Sequence, residues 1–63
     1  MKVLDNDRLL NMDEAASLLN IKKSTVYSLV MRREIPVVKI GRLSRFRRQD
    51  LDRWIESRLR GVD

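Results

Sequence analysis

Cysteine and histidine are both absent from this 63-residue chain. Without thiols there are no disulfides and no thiolate metal ligands to hold it together. Without imidazole, the commonest general base and metal ligand is missing as well. Aromatic residues number one Phe, one Tyr and one Trp, too few for a platform on which single-stranded bases stack. No apolar run approaches the ~20 residues a bilayer span needs, and the N-terminus lacks a signal-peptide core. Cytoplasmic residence is therefore expected, with no membrane contact. A chain of this length makes one domain and buries only about 60% of its unfolded surface. No catalytic or ligand-sensing second domain is expected beside it, and no cofactor, metal or small-molecule ligand.

What is present is charge, unevenly placed. The net charge is +5, and 43% hydrophobic content argues against disorder. Residues 1–20 sum to −2 and residues 49–63 to −1. Residues 21–48 sum to +8, from Lys22, Lys23, Arg32, Arg33, Lys39, Arg42, Arg45, Arg47 and Arg48 against Glu34 alone. A positive field concentrated in this way is the footprint of a polyanion binder.

Along the chain, residues 1–8 read as a polar lead-in. Asn11 is placed to cap a helix, with Glu14 three residues on to complete a capping box. Met12, Ala15, Leu18 and Leu19 make its apolar face, and Asn20 is placed to end it. A second helix is predicted over roughly Lys23 to Arg33, with Val26, Leu29, Val30 and Arg33 on one side. Ser24, Ser28 and Met31 lie on the other, flanked by Tyr27 and Arg32. Two helices joined by so short a turn cross steeply and present the second one outward. Pro36 stops that helix. Val38 and Ile40, then Phe46, alternate with basic residues around a turn at Gly41 to Ser44. The pattern predicts a hairpin with one apolar face and one face of Lys39, Arg45 and Arg47. Leu51, Trp54, Ile55 and Leu59 mark a third helix ending before Gly61. Trp54 is expected to cap the core between that helix and the hairpin. The expected class is mainly α with a small β-hairpin, ordered helix-turn-helix-hairpin-helix over residues 9–60.

The ordered set Leu9-Leu10-Asn11, Glu14-Ala15-Ala16, Leu18-Leu19, Ser24-Thr25-Val26-Tyr27, Ile35-Pro36, Lys39-Ile40-Gly41-Arg42, Arg45-Phe46, Asp50-Leu51 and Trp54-Ile55 resembles the MerR-like winged helix-turn-helix of the excisionase family. The resemblance covers about Leu9 to Ile55. Each piece is weak alone, and their order is specific. Two positions depart from the pattern: Asn20 replaces the usual Gly after the first helix, and Lys22 replaces the Ser that usually caps the second. Lys22 cannot cap, so that helix start is expected to fray or to be capped by Ser24.

The resemblance implies a DNA-binding protein that is not an enzyme. Its recognition helix would carry Lys22, Lys23, Ser24, Thr25, Tyr27, Ser28 and Arg32. Hydroxyls and helix-start N–H groups can meet bases and phosphates there, and the cations suit phosphate. Its wing would carry Lys39, Arg42, Ser44, Arg45, Arg47 and Arg48, approaching a flanking minor groove. Arg33 and Arg53 read instead as surface ion-pair partners. Tyr27 lacks the activating neighbours of a nucleophile. Asp50 and Asp52, two apart on a helix, do not face each other as an acid/base or metal pair. Asp50 is expected to stabilise the start of the third helix. The implied role is an architectural accessory factor of site-specific recombination, acting on double-stranded DNA beside an integrase or recombinase. The alternative is a small transcription regulator of a prophage or integrated element. A protein-interaction adaptor is the reading from outside DNA binding. Such a protein would be nucleoid-associated, monomeric when free, and able to self-associate cooperatively on DNA.

Overall fold

The computed structural model describes residues 8–61, so most of the expected lead-in lies outside the described residues. Helix α1 spans Met12–Leu19 and opens on the capping box. Asn11 Oδ1 accepts from the Glu14 N–H at 2.8 Å, and Glu14 Oε1 accepts from the Asn11 N–H at 2.9 Å. Two donors that the helix itself leaves unmade are thereby satisfied. The helix ends where Asn20 turns left-handed at φ 58. There the Ile21 N–H reaches back to Ala16 O at 3.0 Å and the Asn20 N–H to Ser17 O at 3.2 Å, the paired bonds of a Schellman ending.

Helix α2, Lys23–Met31, follows almost at once. Lys22 stands at its cap position in extended conformation with no side-chain cap. Ser24 does not cap in its place, because it already lies inside the helix. The helix also stops earlier than the sequence pattern predicts, and Pro36 is not what stops it. Arg33 takes φ 58, and the Glu34 N–H bonds Leu29 O at 2.9 Å while the Arg33 N–H bonds Val30 O at 3.0 Å. A second Schellman ending thus closes α2, leaving Arg33 off the helical face expected for it.

Strands β1 (Val38–Ile40) and β2 (Leu43–Arg45) form the antiparallel hairpin. Their turn is Gly41–Arg42 alone, not Gly41 to Ser44, since Ile40 already pairs with Leu43. Gly41 has φ 61, the positive value that a two-residue hairpin turn demands at its first position. A turn of an even number of residues puts Val38 and Ile40 on one side with the odd-numbered residues of β2, and register decides faces. Lys39 lies opposite Ser44, while Arg45 lies opposite Val38. Lys39 and Arg45 therefore point to opposite sides, and no separate basic face exists. Phe46, one residue past β2, exchanges two 2.8 Å backbone bonds with Leu10, tying the hairpin base to the chain before α1.

Helix α3, Arg48–Ser57, is shorter than expected and leaves Leu59 outside it, 75% exposed. Leu59 is not a core residue, and Ile55 is also exposed. Leu51 is the fully buried side chain of this helix. Ala15, Ala16, Val26, Ile35, Phe46 and Leu51 form the core, drawn from every part of the described chain except the hairpin strands. Trp54 packs half-buried against it and reaches the α2–β1 link. Its indole Nε1 donates to Glu34 O at 2.8 Å, and Arg58 stacks over the ring at 4.8 Å.

Candidate nucleic-acid interface

A helix turns about 100° per residue, so Ser24, Tyr27, Ser28 and Met31 share one face of α2. Val26, on the other side, is completely buried, which forces that face outward. Tyr27 is 58% and Met31 64% exposed, so a phenol, hydroxyls and a flexible thioether meet solvent together. Lys22, Lys23 and Thr25 stand exposed at the start of the helix, and Arg32 at its end. Lys23 pairs with Asp13 of α1 at 3.4 Å and Arg32 with Glu34 at 3.9 Å. Both pairs are exposed, and a phosphate can replace a carboxylate in such a pair at little cost. The first turn of α2 holds no acidic residue of its own, which leaves its positive dipole end open to an anion.

The hairpin brings a second set of cations. Arg42 projects at the turn and is exposed. Lys39 Nζ donates to Ser44 Oγ at 3.0 Å, a neutral acceptor that leaves its charge uncompensated. Arg45 is half-buried, donates to Ser44 O at 2.9 Å, and contributes to the field on Glu14 of α1. The Glu14 carboxyl lies below its usual range, first because the Asn11 N–H binds the ionised form, then because Arg8 and Arg45 favour it. Arg47 and Arg48 are not hairpin residues. Arg47 precedes α3 and Arg48 begins it, each held by a carboxylate of that helix. Arg47 donates to Asp50 at 2.8 and 3.0 Å, and Arg48 to Asp52 at 3.3 Å. The bidentate Arg47 contact lowers the Asp50 carboxyl and raises the guanidinium. Asp50, in the first turn of α3, also takes Arg53 at 3.7 Å.

The two elements adjoin. A cleft of about 520 Å³ runs between them, lined by Val30, Met31 and Arg33 from α2 and its end, and by Ile35, Val37 and Lys39 toward and along β1. Met31 belongs to the outward face of α2 and Lys39 to the hairpin, so both elements border one continuous surface. Arg33 lies in this cleft, and among the described residues it joins no ion pair, contrary to the role its charge suggested. Sequence carries little signal for that position, because the left-handed turn that sets it is usually made by Gly or Asn.

Residues 9–59 of the chain match a family model described as a helix-turn-helix domain, in keeping with the closely joined α1 and α2. The chain belongs to that family. Helix-turn-helix domains bind DNA through the second helix of the pair, here α2, and the family is typically non-enzymatic. No curated protein and no solved structure matches the chain. Among the described residues of this helix-turn-helix domain, no helix is long and apolar enough to cross a membrane. No group of three or more acidic residues among them is placed to hold a metal ion.

Proposed function

We propose that the chain is a MerR-like winged helix-turn-helix protein that binds double-stranded DNA sequence-specifically. In this reading it is an excisionase, an architectural accessory factor that bends DNA and helps an integrase reverse its reaction. α2 enters the major groove with Ser24, Thr25, Tyr27 and Ser28 toward base edges and backbone, while Lys22, Lys23 and Arg32 meet phosphates. The hairpin acts as the wing, with Arg42 leading into the flanking minor groove. Lys39, Ser44 and Arg45 stand behind it. Arg47 and Arg48 lie further back and contribute mainly to the field. The observation that carries the reading is the cleft shared by α2 and β1, which sets the exposed Tyr27–Met31 face beside a cationic hairpin. The recombination role is supported by the resemblance of the ordered motifs, from Leu9-Leu10 to Trp54-Ile55, to excisionases.

A salt series on duplex DNA tests the binding. With about four to six phosphates neutralised, log K against log salt falls with a slope of about −4 to −5. Arg42→Ala weakens binding several-fold and reduces any preference for A·T-rich flanks. A flat salt dependence in the unaltered protein refutes DNA binding and favours the adaptor reading. The recombination role is tested on attachment-site DNA, where the protein should bend the duplex and promote excision by the cognate integrase. Binding confined to promoter DNA, with no bend, would make it a transcription regulator instead.

A further inference from the structure

The turn that ends α2 suits glycine, and arginine occupies it. Arg33 holds φ 58 at the Schellman position, where a Cβ crowds the following carbonyl and glycine is the ordinary solution. Asn20 occupies the equivalent position after α1 at the same φ, but Asn visits this conformation more readily than Arg does. A strained residue at a surface turn needs a reason, and backbone strain tends to collect where a side chain must be placed for function. The Arg33 side chain is exposed and lines the cleft between α2 and β1, with Lys39 on the β1 side and Val30, Ile35 and Val37 as apolar lining. The neighbouring Glu34 is engaged by Arg32 at 3.9 Å, and Lys39 gives one of its three N–H donors to the neutral Ser44 hydroxyl, keeping its charge and the others for a ligand.

The proposed docking gives this cleft a definite neighbour. When α2 occupies a major groove and the hairpin enters the adjacent minor groove, the sugar–phosphate strand dividing the two grooves passes over the seam between the elements. The α2–β1 cleft is that seam. We infer that Arg33 and Lys39 form a phosphodiester-binding subsite gripping this strand from its two sides, an inference that rests on the winged reading above. The planar guanidinium of Arg33 suits two oxygens of one phosphate, and Lys39 supplies a compact charge to the same or the next one. The contact fixes the register between helix and hairpin and reads no base.

The test follows from the strain. Arg33→Gly relieves the left-handed backbone while removing the contact, so stability and binding should move in opposite directions. Arg33→Gly should melt a few degrees higher, yet bind duplex DNA roughly tenfold more weakly at about 100 mM salt. Lys39→Ala, which leaves the Arg33 backbone untouched, should weaken binding comparably. In each variant the salt slope should fall by about one, and preferred and scrambled duplexes should lose affinity alike. Arg53→Ala on α3 is the control for net charge and should leave the slope unchanged. The inference is overturned if the unaltered protein shows the steep slope and Arg33→Gly keeps both slope and affinity. It is equally overturned if Arg53→Ala lowers the slope as much as Arg33→Gly does. A salt-independent wild type removes the winged DNA-binding reading together with this one, and so is distinct from both results.

Discussion

Asn11 and Glu14 lock the first turn of α1 by satisfying each other's backbone donors, with Arg8 donating to the Glu14 carboxylate from outside. The helix is eight residues long, too short to be stable by propagation alone, so its start matters disproportionately. Asn11→Ala should cost about 1 kcal/mol in chemical denaturation, while Ser17→Ala, exposed on the same helix, should cost much less. The pH dependence shares this origin. Glu14 and Asp50 both titrate below the ordinary carboxylate range, Glu14 held by the Asn11 N–H and Asp50 by Arg47. A lowered folded-state value means that the stabilisation is complete above the unfolded carboxylate range and is lost as pH falls through the folded value. The denaturation midpoint should therefore stay level from about pH 7 to pH 5 and decline below about pH 4. Glu14→Gln should be less stable near neutrality and show a shallower decline. A midpoint independent of pH over that range would mean that neither carboxylate is held as described.

Elements differ in how far their ends could be foreseen. The capping box of α1 and its left-handed Asn20 were readable because each device uses side chains with a known local preference. Arg33 uses none, so α2 was expected to run on to it, and the faces of the hairpin were assigned on the wrong parity. Alternation reveals that each segment is extended, but Val38, Ile40 and Phe46 share one face only across a turn of an odd number of residues, and this turn has two. Both differences reach the site. The pattern puts Lys39 and Arg45 on one face where they lie on two, and it makes a surface ion-pair partner of Arg33, which lines the cleft. The outward face of Ser24, Tyr27 and Ser28 is legible because Val26, Leu29 and Val30 mark the opposite, core-facing side. Trp54 was recognised as a packing residue, but its partner was not, since a backbone carbonyl leaves no mark in sequence. That partner yields an element-scale prediction. Trp54→Phe keeps most of the apolar contact and deletes the 2.8 Å bond to Glu34 O, leaving only the 3.4 Å contact from Arg58. The loss should be about 1–2 kcal/mol by circular dichroism in denaturant. Because Glu34 adjoins the strained turn, the loss of DNA affinity should exceed that of Asn11→Ala.

At the scale of the whole molecule, the six-residue core and the charge distribution set how copies meet. Residues 21–48 carry +8 of charge, so two free molecules repel wherever their cationic surfaces approach. The exposed large apolar side chains of the described residues are spread over separate segments: Leu9 before α1, Tyr27 and Met31 on α2, Ile40 and Leu43 on the hairpin, Ile55 and Leu59 in and after α3. A stable dimer needs roughly 1,000 Å² or more of buried surface, which such a spread supplies poorly while the charges oppose it. DNA changes the balance by neutralising the cations and setting neighbours side by side. The protein should therefore sediment as a monomer at micromolar concentration and bind two adjacent sites with positive cooperativity. Inserting about 5 bp between the sites, half a helical turn, rotates one copy to the far side of the duplex. That insertion should abolish the cooperativity while leaving each single-site affinity unchanged. A concentration-independent dimer without DNA, or cooperativity that survives the half-turn insertion, would show that an interface independent of the duplex joins the copies.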